Sequence, residues 1–394
     1  MNRRIAIITT GFTGSTLPLA KGFINKGIEV DYYILRGKIH DMEAIQCEYN
    51  SPHLGINAVP PEKWKELRVY YNSDLFNLYC INLPRSFRRV PLLSRIMALF
   101  RRYCIRRAVL DINKKNYDLV NVVARYDTNE IVLYLKSLTC KHKVMSLHEV
   151  APNKVFSDSL RLTPLMEYLF ANKINIIVHS NNSLKEILKY NEVDKSLVKR
   201  IPFGLFETYK MVNDTPIEGV PDKFILFFGG IFPYKGLSVL YDSVVKHREY
   251  FKDVKIVIAG EGKDPVLDRI VGDPQFVCFN RRLSSQELVW LIGKSMFIVC
   301  PHLAISQSGI PQTAFVYEKP LIASNLLAFR EVITDGEDGL LFRAGDDEDL
   351  ARKEHALLSD DTLYSSLIGH IKEFEVRKPV FSWNSIAEEY MSFL

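Results

Sequence analysis

Residues 224–237 read Phe-Ile-Leu-Phe-Phe-Gly-Gly-Ile-Phe-Pro-Tyr-Lys-Gly-Leu. The five apolar residues Phe224–Phe228 predict a buried strand, and the spacing of Leu240 and Val244 predicts a helix after it. Two glycines at the strand end let the backbone approach a ligand, and Lys235 adds a point charge at the start of the helix. This stretch therefore predicts a diphosphate-binding turn in an α/β fold.

The same alternation of β-branched runs and amphipathic helices continues in both directions, which is typical of parallel sheets flanked by helices. A first series of strands is predicted at Arg4–Thr9, Glu29–Leu35, Asp118–Val123, Lys143–Leu147 and Ile174–His179. A second series is predicted at Phe224–Phe228, Val254–Ala259, Phe276–Phe279, Phe297–Cys300, Leu321–Ala323 and Gly339–Phe342. The pattern predicts two doubly wound units in series.

The chain has 394 residues, which is more than one hydrophobic core usually covers. The polar segment Glu207–Asp222 is the predicted linker, so residues 1–207 and 208–380 are predicted to form separate domains. Ser382 is a suitable N-cap for a last helix within residues 381–394. The pattern of that helix leaves open which domain it packs on.

The composition is that of an ordinary globular protein, and the formal net charge of +5 is mild for this length. Six scattered cysteines form no Cys-x-x-Cys pair, and Cys104, Cys278 and Cys300 lie in apolar sequence. They are therefore predicted to be reduced core thiols of a cytoplasmic protein. No signal peptide or membrane-spanning segment is expected. A nucleic-acid partner is not favoured, because no recognition motif accompanies the basic residues.

Further loops follow the other strands of the second series. Gly260-Glu261-Gly262 follows one strand, and Asn280 follows the next, ahead of a capping box formed by Ser284 and Glu287. Parallel strands end at one edge of a sheet, where ligands bind. A helix start near Pro311 would also direct unpaired amides of residues 308–310 towards an anion. The predicted ligand-binding residues are Gly229, Gly230, Lys235, Glu261, Asn280, Ser306, Gln307, Ser308, Gly309 and Ile310.

The order of these motifs resembles a known family. Gly-Gly-x-x-x-x-Lys-Gly at 229–236, Gly-Glu-Gly at 260–262, Ser-Gln-Ser-Gly at 306–309 and Glu-Val-Ile-x-Asp-Gly at 331–336 are similar to motifs of the retaining GT-B glycosyltransferases of family 4, the glycosyl transferases group 1. Ile-Pro-Phe-Gly at 201–204 extends the resemblance over nearly the whole chain. The resemblance implies two Rossmann-like domains facing a cleft, with the C-terminal helix crossing back to the first domain.

The same resemblance implies the chemistry. A sugar would pass with retention from a nucleoside-diphosphate donor to an acceptor hydroxyl, with no cofactor and no bound metal. The basic segment Arg85–Arg107, rather than the resemblance, makes a lipid-linked glycan the working hypothesis for the acceptor, with an unlinked glycan as the other choice. Lys235 would stabilise the leaving diphosphate. Two positions depart from the family: Gly230 stands where an arginine is common, and Ile305 and Thr313 stand where paired glutamates are common. Donor contacts would then rest on backbone amides and Lys235.

His148 and Glu149 follow the strand Lys143–Leu147 in a segment similar to the family's His-Asp-x-x-Pro-His. The resemblance implies that His148, the second predicted catalytic residue, contacts the donor sugar or the leaving group. It places Glu149 on the acceptor side. A structural histidine is the alternative, since a histidine at a strand end is often only a hydrogen-bonded core residue.

The N-terminal turn, with Gly11, Thr13 and Gly14, is either a plain connection or an acceptor-facing loop before a helix at Leu17–Lys26. An NAD site is disfavoured, because the third glycine of the dinucleotide fingerprint and the acidic ribose ligand are missing.

Residues Arg85–Arg107 contain eight arginines and no acidic residue, with apolar residues at helical spacing after Pro91. Such a helix can lie on an anionic membrane surface. It can equally pack its apolar face on the first domain, or bind an anionic substrate or partner. Two rival functions also stay open: a nucleotide-sugar epimerase or other Rossmann enzyme, and a non-catalytic nucleotide-sugar-binding partner.

Overall fold

A computed structural model describes residues 3–39, 45, 48–84, 91–150 and 162–394. The chain divides into two compact units. The first unit comprises Met1–His179, Ser183–Gly204 and Val380–Leu394, and the second comprises Ser180–Asn182 and Leu205–Pro379.

The described residues of the first unit form an eight-stranded sheet in the order β10-β9-β8-β7-β1-β2-β6-β5. Neighbouring strands are parallel except for β5, which pairs antiparallel with β6. A separate antiparallel pair joins β3 to β4. The strands are β1 (Arg4–Thr9), β2 (Glu29–Ile34), β3 (Lys38–Ile39), β4 (Tyr49–Asn50), β5 (Gly55–Ala58), β6 (Phe76–Asn82), β7 (Leu119–Ala124), β8 (His142–Leu147), β9 (Asn175–Val178) and β10 (Val198–Arg200).

The second unit contains a six-stranded sheet whose neighbouring strands are all parallel, in the order β13-β12-β11-β14-β15-β16. Its central strand β11 is the apolar run that precedes the predicted diphosphate-binding turn, and all five of its residues are buried. The strands are β11 (Phe224–Phe228), β12 (Lys255–Gly260), β13 (Phe276–Asn280), β14 (Ile298–Cys300), β15 (Leu321–Ser324) and β16 (Leu340–Phe342).

Helices cover the strands and complete two hydrophobic cores, one in each unit. In chain order they are α1 (Thr13–Ile24), α2 (Lys65–Tyr71), α3 (Pro91–Asn113), α4 (Ile131–Ser137), α5 (Pro164–Ala171), α6 (Asn181–Ile187), α7 (Leu237–Lys246), α8 (Leu267–Ile270), α9 (Ser285–Lys294), α10 (Ile310–Val316), α11 (Leu327–Arg330), α12 (Asp347–Ser359), α13 (Asp361–Lys372), α14 (Phe374–Arg377) and α15 (Trp383–Met391). The capping box of Ser284 and Glu287 and the N-cap Ser382 are both present, as predicted.

The first helix begins four residues earlier than predicted. Phe12 adopts a left-handed backbone conformation with φ of 61° and is the N-cap of α1. Its carbonyl accepts hydrogen bonds from the backbone N–H groups of Ser15 and Thr16. Gly14, expected in an open turn, therefore lies in the first turn of the helix and is buried.

The predicted linker Glu207–Asp222 is part of the second unit. The Tyr317 hydroxyl donates to the Tyr209 carbonyl at 2.8 Å, and the Thr215 amide donates to the Gln286 carbonyl at 3.2 Å. These bonds attach a polar segment to the unit that follows it, so the change of unit lies upstream, between Gly204 and Leu205.

The terminal helix α15 packs on α1 in the first unit. The Tyr390 hydroxyl lies 2.9 Å from the hydroxyl of Ser146 on β8, and Lys26 pairs with Glu388 at 2.5 Å. Tyr390 also meets the ring of Phe23 edge-on. The C-terminal segment thus completes the core of the unit that begins the chain.

The thiols differ slightly from expectation. Cys80, Cys104 and Cys300 are buried, while Cys278 is only half-buried, because β13 is the edge strand of its sheet. Cys47 lies outside the described residues.

Candidate active site

Three strand ends of the second unit are joined by hydrogen bonds at the carboxyl edge of its sheet. The Gly229 amide donates to the Ala259 carbonyl at 3.0 Å, and Ile231 and Gly262 form a parallel bridge. The Asn280 side-chain carbonyl accepts from the Gly262 amide at 3.1 Å. The ends of β11, β12 and β13 therefore form one connected surface, as the order of the motifs predicts.

Two glycines allow close backbone contacts in this region. A Cβ atom on Gly260 would lie 1.9 Å from the Gly229 carbonyl oxygen. Gly236 has φ of +70°, and a Cβ there would lie 1.8 Å from the Pro301 carbonyl oxygen. No larger residue fits either position without moving backbone, so these glycines hold the strand-end loops at van der Waals distance.

Lys235 lies in a short 3₁₀ turn, Pro233–Lys235, which precedes α7. Its ammonium nitrogen is 2.9 Å from Nε2 of His302, which follows β14 and is 1 % exposed. Burial lowers the pKa of Lys235 and, with the neighbouring ammonium, lowers the pKa of His302 well below its ordinary value. His302 was not among the predicted residues, although it lies two positions after a buried strand in the same cluster of loops.

The loop before α10 departs from the prediction at one amide. Gly309 is the N-cap of α10, but the Ile310 amide donates to the Ser308 hydroxyl at 3.2 Å. It is therefore already engaged, because the serine side chain folds back over the helix start. Of the other predicted residues here, the Ser306 carbonyl accepts from the Ser180 hydroxyl at 3.0 Å, and Gln307 Oε1 is buried without a hydrogen-bond partner among the described residues.

In the first unit, His148 lies directly after β8 among aromatic rings. Phe12 stacks on it with ring centroids 3.8 Å apart, and Phe203 and His179 lie at 4.9 and 5.2 Å. The Ser15 hydroxyl is 3.3 Å from His148 Nε2. Residues of the N-terminal turn and His148 were predicted separately, and the structure brings them into contact.

The same cluster keeps its histidines neutral. Burial and the adjacent His179 lower the pKa of His148 well below its ordinary value. Burial lowers the pKa of His179 to about 4, and its Nδ1 donates to the Ile201 carbonyl at 2.9 Å. His179 Nε2 must then be an acceptor, and it is buried without a partner among the described residues. Sequence reasoning missed Phe12 and His179, since stacking gives no pattern along the chain.

The predicted acceptor-side residues of the first unit differ in their surroundings. Gly11 donates to the Thr9 hydroxyl at 3.1 Å, and Thr13 and Gly14 are buried in the start of α1. Glu149 is exposed and pairs with Arg125 at 3.1 Å. Residues 151–161, which complete the family-like segment after His148, lie outside the described residues.

The described part of the chain contains neither a metal-binding cluster nor a membrane-spanning helix. No group of three or more His, Cys, Asp or Glu side chains there is placed to hold a metal ion. No helix there has both the length and the apolar character that crossing a bilayer requires.

Comparison with known proteins assigns the second unit. The family described as glycosyl transferases group 1 matches residues 222–360, which include β11 to β16, Lys235 and His302. Residues 222–360 are therefore similar to that family. We refer to them as the group 1 domain.

Relatives extend the match beyond the group 1 domain. A phosphatidyl-myo-inositol mannosyltransferase from Mycobacterium leprae is 31% identical over 172 residues, covering 43% of this chain and 45% of that protein. An uncharacterised glycosyltransferase from Methanocaldococcus jannaschii is 24% identical over 327 residues, covering 80% of this chain and 84% of its own. The chain thus spans a little under half the length of the mannosyltransferase that it matches.

Among solved structures, HepE from Anabaena in complex with UDP and glucose matches with a TM-score of 0.61 at 15% identity, covering 100% of both chains. At this identity the likeness concerns the fold alone. It confirms the predicted α/β fold with two Rossmann-like parallel sheets, the GT-B architecture.

Proposed function

We propose that this protein is a glycosyltransferase that moves a sugar from a nucleoside-diphosphate sugar to an acceptor hydroxyl. The observation that carries the proposal is the ammonium of Lys235, held by His302 at the carboxyl edge of the group 1 domain. Support comes from the family of residues 222–360 and from the glycosyltransferases among the relatives.

Lys235 is suited to the leaving group of this reaction. When the bond between the anomeric carbon and the phosphate oxygen breaks, negative charge grows on the departing diphosphate. A pre-placed ammonium in a partly desolvated site stabilises that charge more than water does, and one such donor typically contributes about 100- to 1,000-fold in rate. The acceptor oxygen forms the new bond to the anomeric carbon while its proton passes to the departing diphosphate, and we propose that the sugar keeps its anomeric configuration.

Other predicted donor contacts follow from the same edge. The hydrogen-bonded glycine loops place Gly229, Gly230 and Glu261 beside the turn that carries Lys235, and Glu261 is exposed. The carbonyl of Gln307, which has no hydrogen-bond partner in the described ranges, is an acceptor suited to a hydroxyl of the donor. Because Gly230 replaces the arginine that is common in the family, Lys235 is the principal cation in this proposal.

We also propose that His148 acts in transfer and that Glu149 and the N-terminal turn serve the acceptor. A neutral imidazole can accept or donate a hydrogen bond without adding charge. His148 keeps partial exposure while its ring is fixed by Phe12. A partly exposed polar edge on a fixed ring is suited to contact with a sugar hydroxyl.

The acceptor is proposed to be a glycan or a lipid-linked glycan, reached at an anionic membrane surface. The outer face of α3 exposes Ile96, Leu99 and Tyr103, at 54%, 65% and 59% of their surface. The exposed arginines Arg102 and Arg106 lie among them, with no acidic residue between positions 91 and 110. Apolar residues with a cationic border are the features of helices that lie in lipid headgroups.

One arginine of this helix has a different role. Arg101 pairs with Glu130 at 2.6 Å and donates to the Pro84 carbonyl at 2.6 Å. It holds α3 to the rest of the first unit, so we exclude it from the proposed lipid contacts. Arg85, Arg88 and Arg89 lie outside the described residues.

A thermal-shift screen with UDP, GDP and ADP, and with sugars attached to each, tests the proposal. A nucleotide that binds the folded chain raises its melting temperature by mass action. We expect one of the three diphosphates to do so in wild type but not in Lys235→Ala.

Turnover of a nucleotide sugar without an acceptor would instead favour an epimerase. Binding without transfer to any of a panel of acceptors would favour a non-catalytic protein, which the missing glutamates at Ile305 and Thr313 motivate. No shift with any diphosphate would overturn the assignment.

A further inference from the structure

The contact between Lys235 and His302 has a defined direction. A lysine ammonium has three N–H donors and no acceptor, so at 2.9 Å the Nε2 atom of His302 must accept. The ring proton is then on Nδ1, which is buried without a hydrogen-bond partner among the described residues, and the imidazole is neutral. Burial of the ring and the adjacent positive charge both oppose a second proton.

The imidazole is buried and packed against an aromatic ring. His302 is 1 % exposed, and the ring of Phe329 meets it edge-on at 5.2 Å. Next to it, the Leu303 amide donates to the Tyr234 carbonyl at 2.8 Å, which ties the loop after β14 to the turn that carries Lys235. A free lysine side chain samples many rotamers, and a hydrogen bond to a rigid acceptor restricts them.

We propose that His302 is a positioning residue that holds the Lys235 ammonium ready for a diphosphate. The inference rests on the proposed function, because it takes Lys235 as the diphosphate contact. His302 takes one N–H donor of the ammonium and leaves two for phosphate oxygens. Gly230 stands where the family commonly has an arginine, so this site has one cation fewer for the diphosphate. Accurate placement of the remaining ammonium is then more important for binding.

The groups that face Lys235 make the idea testable by pH. His302 is neutral, and the Cys300 thiol nearby has its pKa raised to about 12 by burial. The ring of Tyr234 lies 5.5 Å from the ammonium. Neither Cys300 nor His302 changes charge between pH 7 and pH 10. An ordinary tyrosine titrates near pH 10, so the pH series is run with Tyr234→Phe, which keeps the ring. In that protein, an alkaline loss of diphosphate binding that monophosphate binding does not share reports the deprotonation of Lys235.

The test compares His302→Leu with His302→Gln in the full-length chain. Leucine removes the acceptor, whereas the glutamine side-chain carbonyl can reach the position of Nε2. Binding of UDP, GDP and ADP, and of UMP, GMP and AMP, is measured by calorimetry across the alkaline range. We expect His302→Leu to weaken diphosphate binding about tenfold. Monophosphate binding should change much less, because the Lys235 ammonium is proposed to bind the second phosphate, which a monophosphate does not have.

The pH dependence should separate positioning from general damage. Leucine lacks the hydrogen-bond acceptor Nε2, so the Lys235 ammonium is less stabilised in His302→Leu. The pH above which diphosphate binding is lost, which we call the alkaline limb, should therefore be lower in that variant. His302→Gln should restore both affinity and the limb. Should His302→Leu fail to fold, as judged by circular dichroism, His302→Met replaces it, because a thioether is a poor acceptor of similar length.

The outcomes separate this inference from the proposed function. If wild type binds none of the three diphosphates, the proposed function fails and His302 has no substrate to serve. If wild type binds a diphosphate and His302→Leu binds it equally well with an unchanged limb, the positioning role is wrong while the function stands. Equal weakening of monophosphate and diphosphate binding also rules out positioning, since it indicates a structural role.

Discussion

Each unit carries a histidine just beyond a strand of its parallel sheet, and the two have opposite surroundings. His148 follows β8 and is enclosed by the rings of Phe12 and Phe203, with partial exposure. His302 follows β14 and is buried against the ammonium of Lys235. The pKa of each ring is lowered well below its ordinary value, by its packed surroundings together with His179 at His148 and with Lys235 at His302. A histidine at the end of a strand thus contacts aromatic rings in the first unit and a lysine ammonium in the second.

The difference comes from the loops that meet each histidine. In the second unit, glycines at 236 and 260 allow backbone contacts that bring a lysine to the strand ends. In the first unit, Phe12 turns in a left-handed conformation and places its ring on His148. We therefore expect removal of charge to be most damaging in the second unit, and removal of ring contacts or hydrogen bonds in the first.

The largest effect is expected for Lys235→Ala. Loss of the cation that stabilises the leaving diphosphate should lower kcat/KM by about 100- to 1,000-fold. The measurement is steady-state sugar transfer with the donor found in the nucleotide screen. Lys246→Ala is the matched control, because Lys246 pairs with Asp347 on the surface at 2.7 Å. If Lys235→Ala keeps its activity within threefold of wild type, the charge of Lys235 does not stabilise the leaving diphosphate, and the proposed role of the second unit's histidine–lysine pair is wrong.

His148→Ala should have a smaller effect and a different signature. Loss of one hydrogen bond to the donor sugar or the leaving group should lower kcat by about 10- to 100-fold. Calorimetric binding of the nucleoside diphosphate should stay within twofold of wild type, since that site is proposed to lie in the group 1 domain. A parallel loss of nucleotide affinity would contradict the division of roles between the units.

The dependence of kcat on pH below neutrality tests whether His148 acts as a neutral ring. The pKa of His148 is lowered well below its ordinary value, so its neutral form persists on acidification through the range in which an ordinary histidine titrates. We expect kcat to show no loss assignable to His148 as the pH falls through about 6.5. A loss centred there that disappears in His148→Gln would show that the ring titrates at the ordinary histidine value, which would contradict the lowered pKa.

The membrane proposal predicts an effect on lipid binding without an effect on nucleotide affinity. Reversal of charge in Arg102→Glu/Arg106→Glu should weaken sedimentation with vesicles of phosphatidylserine and phosphatidylcholine at least about tenfold. Lys223→Glu/Lys252→Glu, at exposed positions in the second unit, is the control of equal charge change. Equal binding by all three proteins would end the proposal that α3 contacts lipid.

The smallest effect is expected on stability alone. Glu354 on α12 is buried, its pKa is raised to about 8 from 4.5, and Ser243 on α7 donates to it at 3.0 Å. The folded protein therefore holds a proton that the unfolded chain loses above pH 4.5, so stability is reduced progressively between pH 4.5 and 8. Glu354→Gln should raise the melting temperature by about 2–5 °C at pH 8 and leave it unchanged near pH 4.

Glu354→Gln also serves as a control for the effect of stability on activity, because Ser243 lies on α7 and α7 directly follows the turn that carries Lys235. Its activity should match that of wild type at a temperature where both are folded. If the gain in melting temperature is as large at pH 4 as at pH 8, the carboxyl group is not the cause. Differential scanning fluorimetry across this pH range makes the measurement.

The sequence predicted the second unit well because its signals are local. Every strand of the second series was found to within about a residue at either end, since buried parallel strands are continuous apolar runs. The capping box at Ser284 and the glycine loops were likewise visible in short stretches. In the first unit β5, β6 and β10 of the large sheet were missed, as was the separate short pair β3 and β4. β6 alternates buried and half-buried residues, and β5 and β10 are edge strands with mixed composition.

What the sequence determined by itself was the fold class, the carboxyl edge at which the glycine loops meet, and the position of Lys235 on it, because these depend on hydrophobic period and turn chemistry over a few residues. What only the tertiary structure decided was the partner of each functional side chain. His302 lies 67 residues from Lys235 along the chain, and His148 lies 133 residues from Ser15. Such pairings depend on strand order and side-chain packing, which leave no periodic trace in the sequence.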